Sequence, residues 1–427
     1  MHFVGIGAGS AGDVLPCLLV AQVLRDRGHE VQFVTAPLFR EMVENAGIEF
    51  IAGGTQAQFD EVIRDPEVWH PRRGMQTLWR HVGRFWEQAY QVLASVVRPG
   101  ESVVYGGALA LQMRLVEEKL GNPAVTIHLA PSSLLSAHDP PEMPLLGWLR
   151  LLPPKAVAAL LSLVERQVID PMILPDLNRA RASIGLPPIE RKVRRWMNSP
   201  GQVVCAFPRW FASPQPDWPP SAVCTGFPLA KSPEQALPEP VAAFLDAGPA
   251  PLVFTPGSGM AHGREFFIRA VDTARTLGMR AVLITRYVDQ LPGQLPATVL
   301  HASHVPFDLL MPQVAMLVHH GGIGTIAQGL AAGKPQLITP FSYDQPDNAR
   351  RLERLGVARS VAQGDSPRRW ANAASALLAD RRVAGRCEEL AERLRTDGSG
   401  AEQAADRIAA AASLGPRAWS GARAKGT

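Results

Sequence analysis

Two histidines and three closely spaced glycines stand at the end of an apolar run in the second half of the chain. The segment covers residues 317–325 and reads LVHHGGIGT. This pattern predicts a strand that runs into a glycine-rich loop and opens a helix. Backbone N–H groups at such a helix start can hold a phosphate, because the helix dipole is positive there. We therefore assign diphosphate contacts to His320, Gly321, Gly322, Gly324 and Thr325.

A second polar cluster, DQPDNA at residues 344–349, follows a predicted strand at 336–339. Its carboxylate and amide groups can hydrogen-bond sugar hydroxyls, and we assign Asp344 and Gln345 to that task. Ser258 follows the predicted strand 252–255 and fits a second wall of a phosphate pocket. Val305 is expected to pair a pyrimidine base through its backbone groups. An ordinary connecting loop is the alternative at Ser258 and Val305. Together these residues predict a site for a sugar joined to a nucleoside diphosphate.

The first strand is followed by GAGSAG at residues 7–12, which matches the dinucleotide-binding pattern G-x-G-x-x-G. That function also needs a carboxylate at the end of the second strand, which here ends in VTAP at residues 34–37. We therefore expect the glycines to let a substrate approach closely. Asp13 either caps the following helix or acts as a general base on an acceptor hydroxyl. The second role requires burial or a neighbour that tunes its pKa.

Aromatic and apolar side chains recur at helical spacing between residues 79 and 90. Core packing is one interpretation, and an apolar pocket for an acceptor is the other. On the second interpretation, acceptor contacts fall on Trp79 and Trp86, and we add Ser10 and Ser133 to this set.

Composition limits the classes of function. The 427 residues are 46% hydrophobic and 19% charged with a net charge of +4, which fits a globular protein and not a nucleic-acid-binding one. The dense basic run at 190–196 indicates a solvated helix face or contact with anionic lipid or an acidic acceptor. The chain contains no Asp-x-Asp, which argues against a divalent metal on the diphosphate.

Location in the cell is predicted from three features. The four cysteines show no paired or metal-type spacing, which is typical of a reducing compartment. No charged leader precedes the first strand, so no signal peptide is expected. No uncharged apolar stretch reaches the roughly 18 residues of a membrane span. The protein is expected to be cytoplasmic, at most peripheral on the inner membrane.

Short apolar runs alternate with helical patterns twice along the chain, which predicts an α/β protein with two parallel-sheet, Rossmann-like domains. We place an acceptor-binding domain at 1–228, a linker at 229–240, a nucleotide-sugar-binding domain at 241–414 and a frayed tail at 415–427. Two such domains are expected to face each other across a cleft, with ligands at the carboxyl ends of the strands.

The motifs at residues 12–16 (GDVLP), 320–325 (HGGIGT) and 344–349 (DQPDNA) resemble the signatures of family 1 glycosyltransferases with the GT-B fold. The middle of the sequence is similar to rhamnolipid rhamnosyltransferases of the B type. That similarity lies in the stretches SSLLSAH, FPRWFA, DWP and TGFP, at residues 132–138, 207–212, 217–219 and 225–228.

The resemblance implies an inverting, metal-independent glycosyltransferase without a cofactor. It implies transfer of L-rhamnose from dTDP-L-rhamnose to the hydroxyl of a 3-(3-hydroxyalkanoyloxy)alkanoate, a hydrophobic hydroxy-acid lipid, with Asp13 as base. Gln328 stands where plant-type members have a ribose-binding glutamate, and a deoxyribose has no 2′-hydroxyl to hold. The alternatives are a UDP-glucose enzyme acting on a sterol, macrolide or other aglycone, a silent nucleotide-sugar-binding subunit, and a sugar-nucleotide epimerase.

Overall fold

The computed structural model describes residues 1–70, 72–142, 147–232 and 235–413. The chain divides into two compact units, Met1–Pro228 with the chain from Ser399 onward, and Leu229–Gly398. The predicted tail at 415–427 and two positions of the predicted linker, 233 and 234, lie outside the described residues.

The first unit is built on a seven-stranded sheet in the order β3-β2-β1-β4-β5-β6-β7, with every neighbouring pair parallel. Its central strands are fully buried, because helices cover both faces of a parallel sheet. The strands are β1 (His2–Ile6), β2 (Glu30–Thr35), β3 (Glu49–Ala52), β4 (Ser102–Gly107), β5 (Ala124–His128), β6 (Gln202–Cys205) and β7 (Ala222–Cys224).

Nine helices of this unit lie between its strands in the described residues. They are α1 (Ala11–Asp26), α2 (Arg40–Asn45), α3 (Gln56–Arg64), α4 (Gly74–Gly83), α5 (Trp86–Val96), α6 (Gln112–Leu120), α7 (Pro154–Val164), α8 (Asp170–Ser183) and α9 (Val193–Met197). Short 3₁₀ turns cover Pro37–Phe39, Pro66–Trp69, Pro131–Leu134 and Gly147–Leu151, and a π-helical turn covers Glu165–Ile169. The aromatic stretch from residue 79 to 90, predicted as one helical face, is divided between α4 and α5.

The second unit has a six-stranded parallel sheet in the order β10-β9-β8-β11-β12-β13. Its strands are β8 (Leu252–Thr255), β9 (Ala281–Ile284), β10 (Val299–Ala302), β11 (Met316–His319), β12 (Gln336–Ile338) and β13 (Ala358–Ser360). Its helices are α10 (Glu239–Asp246), α11 (Arg264–Leu277), α12 (Phe307–Leu310), α13 (Ile323–Ala331), α14 (Gln345–Leu355), α15 (Pro367–Ala379) and α16 (Arg381–Asp397), with 3₁₀ turns at Val288–Gln290 and Met311–Gln313.

The last helix, α17 (Gly400–Ala412), belongs to the first unit, although the sequence places it in the second domain. Its apolar stripe of Ala401, Ala404, Ala405 and Ile408 joins the core formed by α1 and the first sheet. Gly400 allows the close approach, because a Cβ there would lie 2.5 Å from the carbonyl carbon of Gly226. A local pattern shows that this helix is amphipathic but not which sheet its apolar face covers.

Each sheet reverses its strand order at one place, between β1 and β4 in the first unit and between β8 and β11 in the second. Ligands of open α/β sheets bind beyond the carboxyl ends of the strands at such a reversal. The loops after β1, β8 and β11 therefore lie where sheets of this kind bind their ligands. No helix among the described residues is both long and apolar enough to cross a membrane.

Candidate active site

The helix start after β11 is open. Gly322 precedes α13 as its N-terminal capping residue, no side chain caps this helix, and its first turn contains no acidic residue. The N–H groups of residues 323–325 find no partner among the described residues. Gly321 has φ of +91°, and a Cβ there would lie 2.9 Å from the Ile338 side chain. This loop therefore presents unpaired donors and a positive helix dipole, the features that bind a phosphate.

The two histidines have different tasks. His319 is fully buried; its Nε2 lies 2.9 Å from Gln336 Oε1, and its Nδ1 accepts a hydrogen bond from Gly321 N–H at 3.2 Å. Burial lowers the pKa of His319 to about 3, so the neutral ring fixes the loop. His320 packs against the loop after β8, and a Cβ on Gly257 would lie 2.7 Å from its ring.

His320 is also neutral near pH 7 in the ligand-free protein. Desolvation lowers the pKa of His320 to about 4, and a hydrogen bond with the Thr255 backbone opposes this shift only in part. Its Nδ1 is buried without a partner. A hydrogen bond from neutral His320 to a diphosphate fits this environment, whereas a charge-assisted bond, which needs a protonated ring, does not.

Ser258 is exposed in the loop after β8, and its hydroxyl makes no hydrogen bond within the described part of the chain. Since β8 and β11 are adjacent, with His319 in register with Thr255, this loop and the loop after β11 begin at neighbouring points of one sheet edge. Thr325 is half-buried in the first turn of α13, and Gly324 is exposed beside it. The structure thus brings the predicted diphosphate contacts to one edge.

Residues of the DQPDNA motif are tied to the glycine loop by Asn348. Its Nδ2 donates to Gly321 O at 3.0 Å and to Asp344 Oδ2 at 2.6 Å. Gln345 Oε1 accepts the N–H groups of Phe341 and Ser342, so this amide holds its own loop. Asn348 was not assigned from the sequence, although it lies in the motif. Its bridging role depends on the packing of α14 against the loop.

Several buried polar atoms near this edge have no hydrogen-bond partner among the described residues. They are His320 Nδ1, Thr339 Oγ1, Ser342 Oγ and Asn348 Oδ1. Nearly all buried polar groups of native proteins are hydrogen-bonded, so such atoms are the ones that a polar ligand or water would satisfy. Their position after β11 and β12 fits a ligand with many oxygens, as a sugar diphosphate has.

Val305 lies in the loop after β10 with its side chain in the core, 2% exposed. Neither its N–H nor its carbonyl makes a hydrogen bond with the described residues, so both are open to the edge of a base. Gln328 donates from Nε2 to Ala230 O at 3.2 Å. In this state the Gln328 amide is engaged with the segment that opens the second unit.

Asp13 occupies the first turn of α1 in the first unit. Its Oδ2 accepts hydrogen bonds from Ser10 N–H at 2.8 Å and Ser10 Oγ at 3.0 Å, and Oδ1 has no partner among the described residues. Desolvation raises the pKa of Asp13, and the two Ser10 hydrogen bonds partly oppose the shift. Gly9 has φ of +123°, and a Cβ there would lie 2.4 Å from Asp13 Oδ2. The Asp13 carboxylate therefore helps to cap its own helix, and burial holds its pKa above the usual range.

Ser133 belongs to a short chain of hydrogen bonds after β5. Asn198 Nδ2 donates to Arg194 O, which turns Asn198 Oδ1 towards His128 Nε2 at 2.6 Å. Burial lowers the pKa of His128, and the neutral ring that carries its proton on Nε2 presents Nδ1 as an acceptor, 2.9 Å from Ser133 Oγ. The Ser133 hydroxyl proton is used within the chain, either by this Nδ1 or by Ala130 O at 2.6 Å. The exposed Ser133 hydroxyl is therefore held with its lone pairs available to an incoming donor. His128 and Asn198 were not assigned from the sequence.

The assignment of Trp79 and Trp86 to an open acceptor pocket is wrong for this conformation. The two side chains are 5% and 2% exposed, and their rings pack together in the core with centroids 5.8 Å apart. Their helical spacing marks a core face, as the simpler interpretation holds. Ser10 is half-buried, and its hydroxyl donates to Asp13 Oδ2.

The cysteines are all free, and the fold places Cys205 and Cys224 opposite each other on β6 and β7. The separation of these two cysteines along the sequence does not predict that they lie opposite each other on adjacent strands. Within the described residues, no three or more His, Cys, Asp or Glu side chains are grouped so that they could hold a metal ion.

Comparison with known proteins identifies both halves of the chain. Residues 3–134 match the glycosyltransferase family 28 N-terminal domain, and residues 280–410 match the C-terminal domain of erythromycin biosynthesis protein CIII-like proteins. The O-mycaminosyltylonolide 6-deoxyallosyltransferase of Streptomyces fradiae is 31% identical over 369 residues, which cover 84% of this chain and 85% of that protein. The vancomycin aglycone glucosyltransferase of Amycolatopsis orientalis is 30% identical over 416 residues, covering 92% and 93%.

A solved structure supports the fold. The spinosyn rhamnosyltransferase in complex with thymidine diphosphate superimposes with a TM-score of 0.63 at 19% identity, covering 94% of this chain and 98% of that one. Two parallel-sheet, Rossmann-like units of this kind constitute the GT-B fold, which confirms the predicted fold class. The chain belongs to the macrolide-type GT-B glycosyltransferases, which join a family 28 N-terminal domain to an erythromycin biosynthesis protein CIII-like C-terminal domain.

Proposed function

We propose that this glycosyltransferase transfers L-rhamnose from dTDP-L-rhamnose to the hydroxyl of a 3-(3-hydroxyalkanoyloxy)alkanoate, with inversion and without a metal ion. The donor assignment in this proposal rests on the uncapped start of α13. This helix follows β11 at the point where the strand order of the second sheet reverses. Unpaired N–H groups there suit the diphosphate, and the open backbone groups of Val305 suit a pyrimidine.

The second unit stabilises the leaving group in this mechanism. As the bond between the anomeric carbon and the diphosphate breaks, negative charge grows on the departing oxygen. The N–H groups of residues 323–325, the α13 dipole and the hydroxyls of Ser258 and Thr325 are placed to receive that charge. Asp344 and the Nε2 group of Gln345, whose Oε1 is engaged with its own loop, hold sugar hydroxyls, and Asn348 keeps Asp344 beside the loop.

The first unit supplies the base. Asp13 Oδ1 takes the proton from the acceptor hydroxyl while that oxygen attacks the anomeric carbon from the face opposite the diphosphate. A carboxylate of ordinary pKa is a weak base, and the raised pKa of Asp13 brings it closer to the range that proton abstraction needs. Ser133 lies on the loop that we assign to the acceptor, whose single hydroxyl proton goes to Asp13.

The donor sugar is supported by the relatives. The 6-deoxyallosyltransferase and the spinosyn rhamnosyltransferase are both named for a deoxy sugar, and the latter was solved with thymidine diphosphate. The hydroxyalkanoate acceptor is supported by the resemblance of residues 132–138 and 207–228 to rhamnolipid enzymes. The glucosyltransferase relative favours the alternative, transfer of glucose from UDP-glucose to an aglycone.

The test is acceptor-dependent release of nucleoside diphosphate, with dTDP-L-rhamnose and UDP-glucose assayed in parallel with and without EDTA. We expect release from the rhamnose donor only, undiminished by EDTA. Loss of activity in EDTA that added Mg²⁺ restores would overturn the metal-free mechanism. Release from UDP-glucose with an aglycone acceptor, and none from dTDP-L-rhamnose, would establish the alternative.

A further inference from the structure

The segment from Gly147 to Ile169 in the first unit carries an unusual amount of exposed apolar surface. Eleven large apolar side chains of the described residues are exposed, and five of them lie here. They are Trp148, Leu151, Leu163, Val164 and Val168, with exposures of 49%, 86%, 53%, 37% and 55%. Scattered exposed apolar residues are normal, but such a concentration marks an interaction surface.

Helix α7 lies within this segment, and beyond its first turn its outer face carries no charged side chain. Val157 and Leu161 face the core, whereas the exposed positions of the middle and end of the helix are Ala158, Ala159, Ser162, Leu163 and Val164. A helix at a water-facing surface normally presents charged residues there. The outer face of α7 is therefore suited to contact with an apolar phase.

The charges of this segment indicate the partner. Glu165 is its only acidic residue, and it is paired with Arg194 at 3.7 Å. Arg150 is paired with Glu142. Lys155 and Arg166 are exposed and have no ion-pair partner within the described chain, so the uncompensated charge is positive. Apolar side chains with a tryptophan, flanked by cations, are the pattern of a surface that binds anionic lipid.

The segment is also linked to the loop that carries Ser133. Ala137 of that loop packs in one cluster with Val157 and Leu161 of α7. Arg194, which pairs with Glu165, donates to the carbonyls of Leu134 and Leu135 at 3.3 Å each. The helix that carries the apolar surface is thus packed against the loop to which the acceptor is assigned. Of the basic run, Arg194 serves this internal link and is not available to lipid.

We propose that residues 147–169 form a docking face for an anionic lipid bilayer, with α7 lying along the membrane surface. At about 1.5 Å per residue its eleven residues span about 16 Å, too short for the roughly 30 Å hydrocarbon core. Delivery of a lipid acceptor from this face to Ser133 rests on the proposed function. The docking itself does not depend on which sugar or acceptor the enzyme uses.

The experiment is co-sedimentation of the full-length protein with vesicles of phosphatidylglycerol and phosphatidylcholine, and with vesicles of phosphatidylcholine alone. We expect stronger binding to the anionic vesicles. The variant Leu151→Ser/Leu163→Ser/Val168→Ser should bind them at least about tenfold less. Lys155→Glu/Arg166→Glu should lose only the preference for anionic lipid. The control Val288→Ser/Leu378→Ser changes exposed apolar residues of the second unit and should bind as the wild type does.

Absence of binding by the wild type, or equal binding by the triple-serine variant, would overturn the proposal. A dimer that the triple-serine variant converts to a monomer, with no lipid binding, would assign the face to a second copy and also overturn it. Each variant is assayed without vesicles for transfer to a short-chain, water-soluble hydroxy acid. Unchanged turnover and melting temperature there separate loss of docking from loss of the active site or the fold.

Discussion

The loops after β1 and after β11 share one architecture and differ in what fills the helix start. Both follow a strand at the reversal of a parallel sheet, and both are rich in glycine. In the first, the Asp13 carboxylate bonds back to Ser10, so the chain supplies its own anion. In the second, no acidic residue or capping side chain is present. The same motif thus holds a carboxylate of its own in one unit and leaves the helix start open in the other, which is the basis of the two roles that we propose.

This difference also explains why the G-x-G-x-x-G pattern of the first loop does not indicate a dinucleotide site. A phosphate at the start of α1 would meet the Asp13 carboxylate, and like charges at that distance repel. The glycine pattern is equally visible in both halves of the molecule. The side chain at the third helical position decides whether the helix dipole attracts an external anion.

The largest effect is expected when the Asp13 carboxylate of the first loop is removed. Asp13→Asn keeps the shape of the side chain but cannot accept a proton, so we expect kcat to fall by roughly 1,000-fold. Binding of dTDP, measured by calorimetry, should be essentially unchanged, because Asp13 is not assigned to the donor. Asp26→Asn, at the other end of α1, is the control and should retain activity. Wild-type turnover in Asp13→Asn would remove the base from the mechanism.

The second expected effect comes from giving the second loop a carboxylate, at the second helical position and not at the third as in the first loop. A Cβ at Gly324 would meet no atom within 4 Å, so Gly324→Asp should fold normally. It would place a carboxylate in the first turn of α13, where the diphosphate is expected. We predict dTDP binding weakened by roughly tenfold to a hundredfold.

The neutral, isosteric Gly324→Asn controls for size in the same calorimetric titration. It should lose much less affinity than the aspartate variant, because only the charge competes with the phosphate. Equal losses in the two variants would mean that sterics, and not charge, govern this helix start.

A smaller effect is expected from displacing the base without removing it. In Gly9→Ala the new methyl would collide with Asp13 Oδ2 and would also be strained at the positive φ. We expect kcat to fall about tenfold, as small misplacements of catalytic groups do. Gly28→Ala has the strained φ of +80° but no atom near its Cβ, so it controls for backbone strain. If both variants lose activity equally, the close approach of Gly9 to Asp13 has no catalytic role.

The smallest effect concerns the pH dependence of turnover. Asp13 must be ionised to act as base, and its pKa is raised, so activity should be lost as pH falls through a value above the usual carboxylate range. Ser10 Oγ–H stabilises the ionised form. Ser10→Ala should therefore move the acid limb of kcat/KM upward by roughly half a pH unit to one unit. A raised KM for the acceptor without this displacement would instead make Ser10 an acceptor contact, as the sequence predicts.

The alternation of strands and helices was predictable because it is local. Buried strands such as β1, β8 and β11 are short apolar runs bounded by turn residues, and the sequence predicts each within a residue or two. The sequence does not predict strands β3, β7 and β13, each of which lies at an edge of its sheet. Edge strands bury less of their surface, so their sequences carry a weaker apolar pattern.

The motifs by themselves indicated the fold class and the glycosyltransferase family, and they marked the loops that we assign to the donor, because glycines and capping residues act over a few neighbouring positions. Tertiary structure alone decided the rest. It placed α17 on the first sheet, buried Trp79 and Trp86, and joined Ser133 to His128 and Asn198. It also set Asn348 between the two donor motifs and raised the pKa of Asp13. Each of these depends on contacts between distant residues or on exclusion of water, which no local spacing encodes.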